Sequence, residues 1–255
     1  MATPREDDGM SPEISLWEPF PFYGHAHRTL YVNNNGVVSF GAGVPEFTPE
    51  PFPVAQRPLL APFWADVDTT LGGTVFYRQS RQPALLARLA RDIGTAVPSP
   101  GPPPTWAFVA TWDHVTFFGA ATKKVNTFQA VLATNGVTSF VMFNYGTISW
   151  TTGIANQGNP HTGLGGTPAQ AGFNSGDPAH YAVLPGSRSP RVPNIARGSN
   201  VGVPGRWIFR VEGDIVTPGP PDVPPGDVTP DDVTPNDVTQ GPPNHSTQEM
   251  VYLCH

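Results

Sequence analysis

Asp66 and Asp68 are the residues in this sequence whose types and spacing best suit chemistry. Side chains two positions apart on a β-strand project from the same face, so these carboxylates could share a cation or act as an acid/base pair. A hard cation needs six or more oxygen ligands, and no further acidic residue lies close to the pair in the sequence. The pair alone therefore predicts neither a metal site nor a catalytic site.

Two histidine-containing pairs are further candidates. His25 and His27 also share a strand face, but zinc needs at least three protein ligands, and the sequence contains no HExxH-type motif. Asp113 and His114 are adjacent on a predicted strand, which directs their side chains to opposite faces. No Gly-x-Ser-x-Gly motif is present to supply a nucleophile. Neither pair predicts a catalytic or metal site.

A serine and a glycine-rich loop complete the candidates. Ser187 lies in a Pro-Gly-Ser-Arg segment that is typical of a turn. Residues 162–166, Thr-Gly-Leu-Gly-Gly, lack the Gly-Lys-Ser/Thr ending of a phosphate-binding loop, and no helical pattern follows them. Their glycines favour a tight bend instead. The sequence therefore predicts no catalytic residue, no cofactor-binding residue and no metal ligand.

Aromatic residues support a binding alternative. Five tryptophans could stack on sugars if they were exposed, and Asp66 and Asp68 could assist them in a carbohydrate-binding module. Four of the five lie in or beside predicted strands, which favours packing in the core. The five tryptophans are Trp64, Trp106, Trp112, Trp150 and Trp207.

The composition favours many short strands joined by turns. Charged residues make up 13% of the 255 residues, while the chain has 32 prolines and 27 glycines. The net charge of −6 is concentrated at the C-terminal end, since residues 214–255 hold seven acidic residues and no Lys or Arg. The remaining residues carry fourteen basic and thirteen acidic groups and no basic stripe, so nucleic acid is not an expected partner.

Three further features concern the cellular compartment. Cys254 is the single cysteine, so no internal disulfide is predicted. No apolar run approaches the ~18 residues of a membrane span, so membrane insertion is not expected. Residues 1–9 do not have the hydrophobic segment of a signal peptide. Read literally, the sequence is cytosolic; read as a piece of a longer protein, its ends carry no information on location.

The predicted elements indicate a mainly β fold, an antiparallel β-sandwich-like single domain with one short helix. Asn35-Gly36 predicts a type I′ turn in a hairpin over residues 30–40, and Asn135-Gly136 predicts a second hairpin. Residues 83–93 have helical periodicity, with Pro83 in the first turn and Gly94 as the expected C-terminal cap. Further strands are predicted at 63–67, 75–78, 106–118, 170–173, 181–184 and 206–211.

The predicted organisation has three parts: a loose polar segment at 1–13, the β domain at 14–213 and a disordered acidic Pro/Thr repeat tail at 214–255. The tail contains four copies of a five-residue unit that cannot bury enough apolar surface to fold. Thr229 and Thr234 each precede a proline, which suits O-glycosylation. Asn244 begins an Asn-His-Ser sequon for N-glycosylation.

Nine phrases, taken in order, resemble the nidogen-like extracellular domain, in particular its tectorin-type form. They cover about residues 6 to 213. The phrases are YVNNNGVVSF (31–40), LAPFWADV (60–67), Thr111-Trp112 with Val115-Thr116-Phe117, VNTFQAVL (125–132), FNYGTISWTTG (143–153), TGLGG (162–166), AQAGFN (169–174), PGSR (185–188) and VPGRW (203–207).

The resemblance implies a non-enzymatic extracellular module associated with cell–matrix adhesion. Such modules occur in basement-membrane, tectorial-membrane and mucin-type proteins. The expected partners are extracellular matrix proteins or cell-surface glycoproteins, bound without a cofactor. The sequence departs from the family in two places: it shows no signal peptide, and the repeat tail stands where tectorin-type members have cysteine-rich modules.

Overall fold

The computed structural model describes residues 1–213, which form two antiparallel sheets, one α-helix and two short 3-10 helices. The strands are β1 (Ile14–Phe22), β2 (His25–Asn33), β3 (Val37–Phe40), β4 (Leu59–Trp64), β5 (Thr74–Ser80), β6 (Trp106–Val115), β7 (Asn126–Thr134), β8 (Ser139–Ile148), β9 (Gln170–Asn174), β10 (Tyr181–Val183) and β11 (Arg206–Arg210). The α-helix is α1 (Pro83–Ala96), and the 3-10 helices are Ile154–Asn156 and Val192–Ala196. The predicted disordered tail at 214–255 lies outside the described residues.

The two sheets face each other across an aromatic core. One sheet has the order β1-β2-β3-β4-β9-β10, and the other has the order β11-β8-β7-β6-β5. Phe63 of the first sheet lies 5.4 Å, centroid to centroid, from Phe128 of the second, which stacks on Trp112 at 5.1 Å. The hydroxyl of Tyr145 donates to the carbonyl of Pro62 at 2.6 Å and joins the sheets inside the core. The predicted mainly β, sandwich-like fold with one helix is confirmed.

Helix α1 covers the outer face of the five-stranded sheet. Leu85, Leu89 and Ile93 lie on one side of the helix and are buried, as the periodicity of the sequence predicts. They pack against alternate side chains of β6, β7 and β8, so β7 and β8 are buried on both faces. These strands therefore read as nearly continuous apolar runs in the sequence.

The helix ends later than expected. It continues to Ala96, and the backbone N–H of Val97 bonds to the carbonyl of Ile93. Gly94 is an ordinary helical residue, so its prediction as the C-terminal cap was wrong. The reason is that the last turn closes with an extended residue at Val97 and needs no glycine at positive φ.

The first hairpin forms as predicted, but its turn type was wrong. Asn33 pairs with Val37, which leaves a loop of three residues, and the N–H of Gly36 bonds to the Asn33 carbonyl at 3.1 Å. Gly36 has a φ of +82°, whereas Asn35 is not among the residues at positive φ. A type I′ turn requires positive φ at both central positions, while a three-residue loop requires it only at the glycine.

Residues 1–13 are docked on the domain, contrary to the expectation that they are loose. Ala2 forms a bridge with Phe76 of β5, and Met10 forms one with Asn33 of β2. Thr3 and Ser11 are buried. The polar composition suggested a free segment because the partners that satisfy these groups are distant in the sequence.

Strand β1 was not predicted at all. A register shift between Ser15 and Phe20 interrupts its pairing with β2, so its side chains do not alternate cleanly between the two faces. Phe20 and Phe22 are nevertheless fully buried in the core. The bulge removed the period-two signal that would have identified this strand.

Candidate functional site

The five tryptophans considered as sugar platforms are buried, with exposed fractions of 0–3%. Each indole N–H donates to an internal acceptor, as a buried tryptophan normally does. The acceptors are the carbonyls of Glu46, Asn34, Val115 and Ile195 and the side chain of Gln79. Core packing of these five residues is confirmed, and the carbohydrate-binding alternative loses them as stacking platforms.

The histidine pair on β2 has no metal-site geometry. The rings of His25 and His27 are 6.4 Å apart, and His27 stacks on Phe40 at 4.3 Å. Burial, followed by the neighbouring His25, lowers the pKa of His27 to about 4. His27 is therefore a neutral ring packed among aromatics at physiological pH.

The remaining sequence candidates have structural roles. Asp113 and His114 contact each other at 2.5 Å at the exposed end of β6. The hydroxyl of Ser187 accepts from the N–H of Ala171 at 2.7 Å, which fixes the turn after β10. The carbonyl of Gly163 accepts from the amides of Thr151 and Thr152, so the glycine-rich loop is a tight bend. Within residues 1–213, these groups do not assemble a catalytic set.

Asp66 and Asp68 are both buried, but they do not act as a pair. The Oδ1 atom of Asp68 accepts from the N–H and the hydroxyl of Thr70, at 2.8 and 2.6 Å, and so stabilises its own turn. Asp66 instead lies beside Asp7 and Asp8 of the docked N-terminal segment: one carboxylate oxygen from each of these three residues lies within 4.8 Å of the other two. Sequence reasoning missed this cluster because the two segments that supply its members are far apart in the chain.

The electrostatics of this cluster are unfavourable for three ionised carboxylates. Burial, followed by the charges of Asp7 and Asp8, raises the pKa of Asp66 to about 7. A hydrogen bond from the Ala155 amide acts in the opposite direction and lowers this pKa. Burial and the charges of Asp8 and Asp68 also raise the pKa of Asp7. The cluster is therefore short of positive charge.

Asn35 positions the cluster from the first hairpin turn. Its Nδ2 atom donates to Asp8 Oδ1 at 2.6 Å, and its Oδ1 atom accepts from the N–H of Val67 at 2.8 Å. One side chain therefore connects the N-terminal segment to the backbone just after Asp66. The turn that the sequence marks as a hairpin signal is also the support of the acidic cluster.

A second candidate site lies on the surface where the edges of the two sheets meet. Trp17 of β1 is 55% exposed, and the guanidinium of Arg81, just after β5, lies 5.7 Å from its ring. Arg81 also pairs with Glu18 at 3.0 Å, and Glu18 accepts from the hydroxyl of Thr105 at 3.0 Å. We call these four residues the Trp17 patch. Sequence reasoning missed it because β1 was not recognised as a strand.

Strand β1 is joined to β5 beneath this patch. The backbone N–H of Trp17 donates to Gln79 Oε1 at 2.8 Å, and Gln79 Nε2 donates to the Ser15 carbonyl at 2.9 Å. The bulge in β1 makes these backbone groups available to a side chain. The backbone around Trp17 is thereby hydrogen-bonded to β5, while the residue remains 55% exposed.

The fold defines a class of protein, a mainly β domain of two antiparallel sheets with one α-helix on an outer face. The sequence profile of the nidogen-like domain matches residues 28–213, and the chain belongs to this family. Membership confirms the resemblance seen in the sequence and the extracellular matrix location that it implied. In the described part of the chain, no helix is long and apolar enough to cross a membrane.

Several curated relatives are similar over most of this chain. Alpha-tectorin of Homo sapiens is 50% identical over 219 residues, which cover 85% of this chain and 10% of that protein. Nidogen-2 of Mus musculus is 34% identical over 228 residues (82% and 16%), and nidogen of Drosophila melanogaster is 33% identical over 204 residues (78% and 15%). The chain thus spans between a tenth and a sixth of the length of these relatives. No solved structure gives a significant match.

Proposed function

We propose that this domain is a non-enzymatic cell–matrix adhesion module that binds extracellular matrix proteins or cell-surface glycoproteins. The observation that carries the proposal is the Trp17 patch, which combines an exposed tryptophan with an arginine stacked on it. Tryptophan and arginine are the residues most enriched at the energetic centres of protein interfaces. The family membership of the chain supports the extracellular setting.

The geometry of the patch suits binding at low entropic cost. Glu18 and the Trp17 ring already hold Arg81 in place, so little side-chain freedom is lost when a partner docks. The ring offers a flat apolar surface, and the ion pair at its edge offers polar groups for orientation. We infer that a partner covers the ring with an apolar side chain and contacts Arg81 with an acceptor.

The proposal is tested by retention on matrix. The full chain, secreted as an Fc fusion behind an added signal peptide, is applied to decellularised matrix and to intact cells, together with Trp17→Ala. Val137→Ala is the matched control, because Val137 is an exposed apolar residue in the β7–β8 loop. We expect Trp17→Ala to lose about tenfold or more in affinity and Val137→Ala to bind like the unmodified chain.

Retention no greater than that of Fc alone would refute the adhesion role. Unreduced binding of Trp17→Ala would show that the binding surface lies elsewhere. Retention that free sugars compete away would favour carbohydrate recognition instead.

We further propose that the β domain at 14–213, on which residues 1–13 dock, is followed by a spacer at 214–255 that carries sugars at Thr229, Thr234 and Asn244. These sites lie outside the described residues, and the proposal is based on the Pro/Thr repeats and the Asn-His-Ser sequon. Glycosidase treatment of the secreted chain, followed by mass analysis of residues 214–255, tests it. An unchanged tail mass would remove the sugar-bearing role.

A further inference from the structure

Three carboxylates from two distant segments converge next to the first hairpin. Asp66 follows β4, whereas Asp7 and Asp8 belong to the N-terminal segment that docks on the domain. Asp7 also forms an isolated β-bridge with Asp68, so the two segments are aligned by backbone pairing. The approach of the carboxylates is therefore a consequence of the fold and not of side-chain freedom alone.

The charges that act on Asp66 all come from other carboxylates: Asp7, Asp8 and Asp68. Like charges this close repel one another, more strongly where water is excluded. A fold that brings such groups together must supply a compensating positive charge or keep a proton on one of them.

A second observation points to a ligand. Asp66 is 2% exposed, and its Oδ2 atom is sealed from solvent without a hydrogen-bond partner. Buried carboxylate oxygens are normally hydrogen-bonded, paired with a cation or bound to a metal. The neighbouring Gly153 leaves no room for a side chain here, because a Cβ atom on it would collide with the Asp66 carboxylate. A small cation would satisfy this unpartnered oxygen and offset the charges of the neighbouring carboxylates.

The arrangement suits Ca²⁺. Calcium takes oxygen ligands at about 2.3–2.6 Å, so two ligands of one ion can be up to about 5 Å apart. The three carboxylate oxygens lie within 4.8 Å of one another, which meets this limit. Asp7 is exposed and Asp8 is half-buried, so water can complete the six to eight ligands that the ion requires.

We propose that Asp7, Asp8 and Asp66 form a Ca²⁺ site that fastens the N-terminal segment to the end of β4. Asn35 orients Asp8 within it through the 2.6 Å hydrogen bond from its Nδ2 atom. Calcium sites of extracellular modules typically have dissociation constants of about 10⁻⁴–10⁻³ M, and we expect this range here. The ion stabilises the folded state by mass action, since the unfolded chain does not hold the three carboxylates together.

The test is a thermal-unfolding series on the full chain in EDTA, in CaCl₂ and in MgCl₂ at equal ionic strength. About 5 mM CaCl₂ is expected to raise the melting temperature by ~3–7 °C relative to EDTA, and MgCl₂ by much less, because Mg²⁺ demands shorter bonds and stricter octahedral geometry. Isothermal titration calorimetry with CaCl₂ gives the stoichiometry, which should be one ion per chain.

Variants separate a cation site from a purely structural role. Asp66→Asn and Asp7→Asn should each abolish most of the calcium shift. In EDTA, Asp66→Asn should melt at or above the temperature of the unmodified chain, because it removes the repulsion. Asp113→Asn alters an exposed aspartate outside the cluster and should keep the full shift.

Absence of a calcium shift in the folded, unmodified chain would overturn the proposal and leave a shared proton as the explanation of the cluster. Retention of the full shift in Asp7→Asn would also overturn it. Asp7 is exposed, so that variant remains foldable even if Asp66→Asn is not.

Discussion

Gly36, in the turn between β2 and β3, lies directly against the backbone carbonyl of Phe63 in β4. A Cβ atom at this glycine would collide with that carbonyl oxygen, and the φ of Gly36 is +82°. The hairpin turn therefore closes over the end of a neighbouring strand, in the same region that supports the acidic cluster through Asn35. A position that the sequence marks only as part of a local turn is also a tertiary contact.

Gly36→Ala should destabilise the domain by about 2–5 kcal/mol. Positive φ costs a residue with a Cβ about 1–2 kcal/mol, and overpacking against a backbone atom adds about 1–3 kcal/mol. Gly136→Ala is the matched control, because Gly136 has a φ of +86° but open space within 4 Å of the point that a Cβ atom would occupy. Urea denaturation should place the control within about 1–2 kcal/mol of the unmodified domain. Equal losses would show that the contact with Phe63 contributes nothing.

Asn34 should prove essential for docking of the N-terminal segment. Its Nδ2 atom donates to the carbonyls of Pro4 and Glu6, and its Oδ1 atom accepts from the hydroxyl of Thr3. Asn34→Ala removes these three hydrogen bonds to the segment, including the acceptor of the buried Thr3 hydroxyl, and should cost about 2–4 kcal/mol. Limited proteolysis should then cut within residues 1–13, whereas Asn135→Ala, in an exposed loop, should leave the segment protected. Protection equal to that of the unmodified chain would contradict the assigned contacts.

His27 should make the domain less stable in mild acid. Its pKa of about 4 in the folded state lies below the 6.5 of an unfolded histidine, so the unfolded chain binds the proton first as the pH falls. The contribution of His27 to the free energy of unfolding is complete above pH ~6.5 and is lost as the pH decreases toward ~4. The loss should be on the order of 1–2 kcal/mol after allowance for the partial exposure of the ring. Urea unfolding of the unmodified chain and His27→Leu at both ends of this range isolates the effect, because the other groups titrate in both proteins.

The exposed His25 provides the control for this measurement. His25→Leu should keep most of the acid sensitivity of the unmodified chain, because burial of His27, and not His25, is the larger cause of its lowered pKa. If His27→Leu loses stability in acid as steeply as the unmodified chain, the ring is not desolvated in the way described.

Leu89 should carry much of the attachment of α1 to the outer face of the five-stranded sheet. It is 1% exposed, and truncation to alanine leaves a cavity that should cost about 2–5 kcal/mol. Leu71→Ala makes the same chemical change at a residue that is 55% exposed and should cost less than about 0.5 kcal/mol. Chemical denaturation of both variants compares them directly, and a small loss at Leu89 would mean that the helix packs more loosely than its contacts indicate.

The features that the sequence determined by itself are those encoded by neighbouring residues. The two Asn-Gly pairs marked the β2–β3 and β7–β8 hairpins, because a residue at positive φ is a local requirement. The spacing of Leu85, Leu89 and Ile93 identified α1 and its buried face, because helical periodicity is also local. The tryptophans were assigned to the core from their positions in strands, and the nine phrases in order identified the family.

Tertiary structure alone decided what depends on residues far apart in the chain. Asp66 lies close to Asp7 and Asp8 because the N-terminal segment docks on the domain. No local sequence pattern predicts this docking. The exposure of Trp17 follows from a bulged strand whose period-two signal is broken. Local propensity and periodicity act over a few residues, whereas burial and charge are set by whichever segments the fold brings into contact. Most strands of this domain could therefore be predicted from its sequence, whereas β1 and the two candidate sites could not.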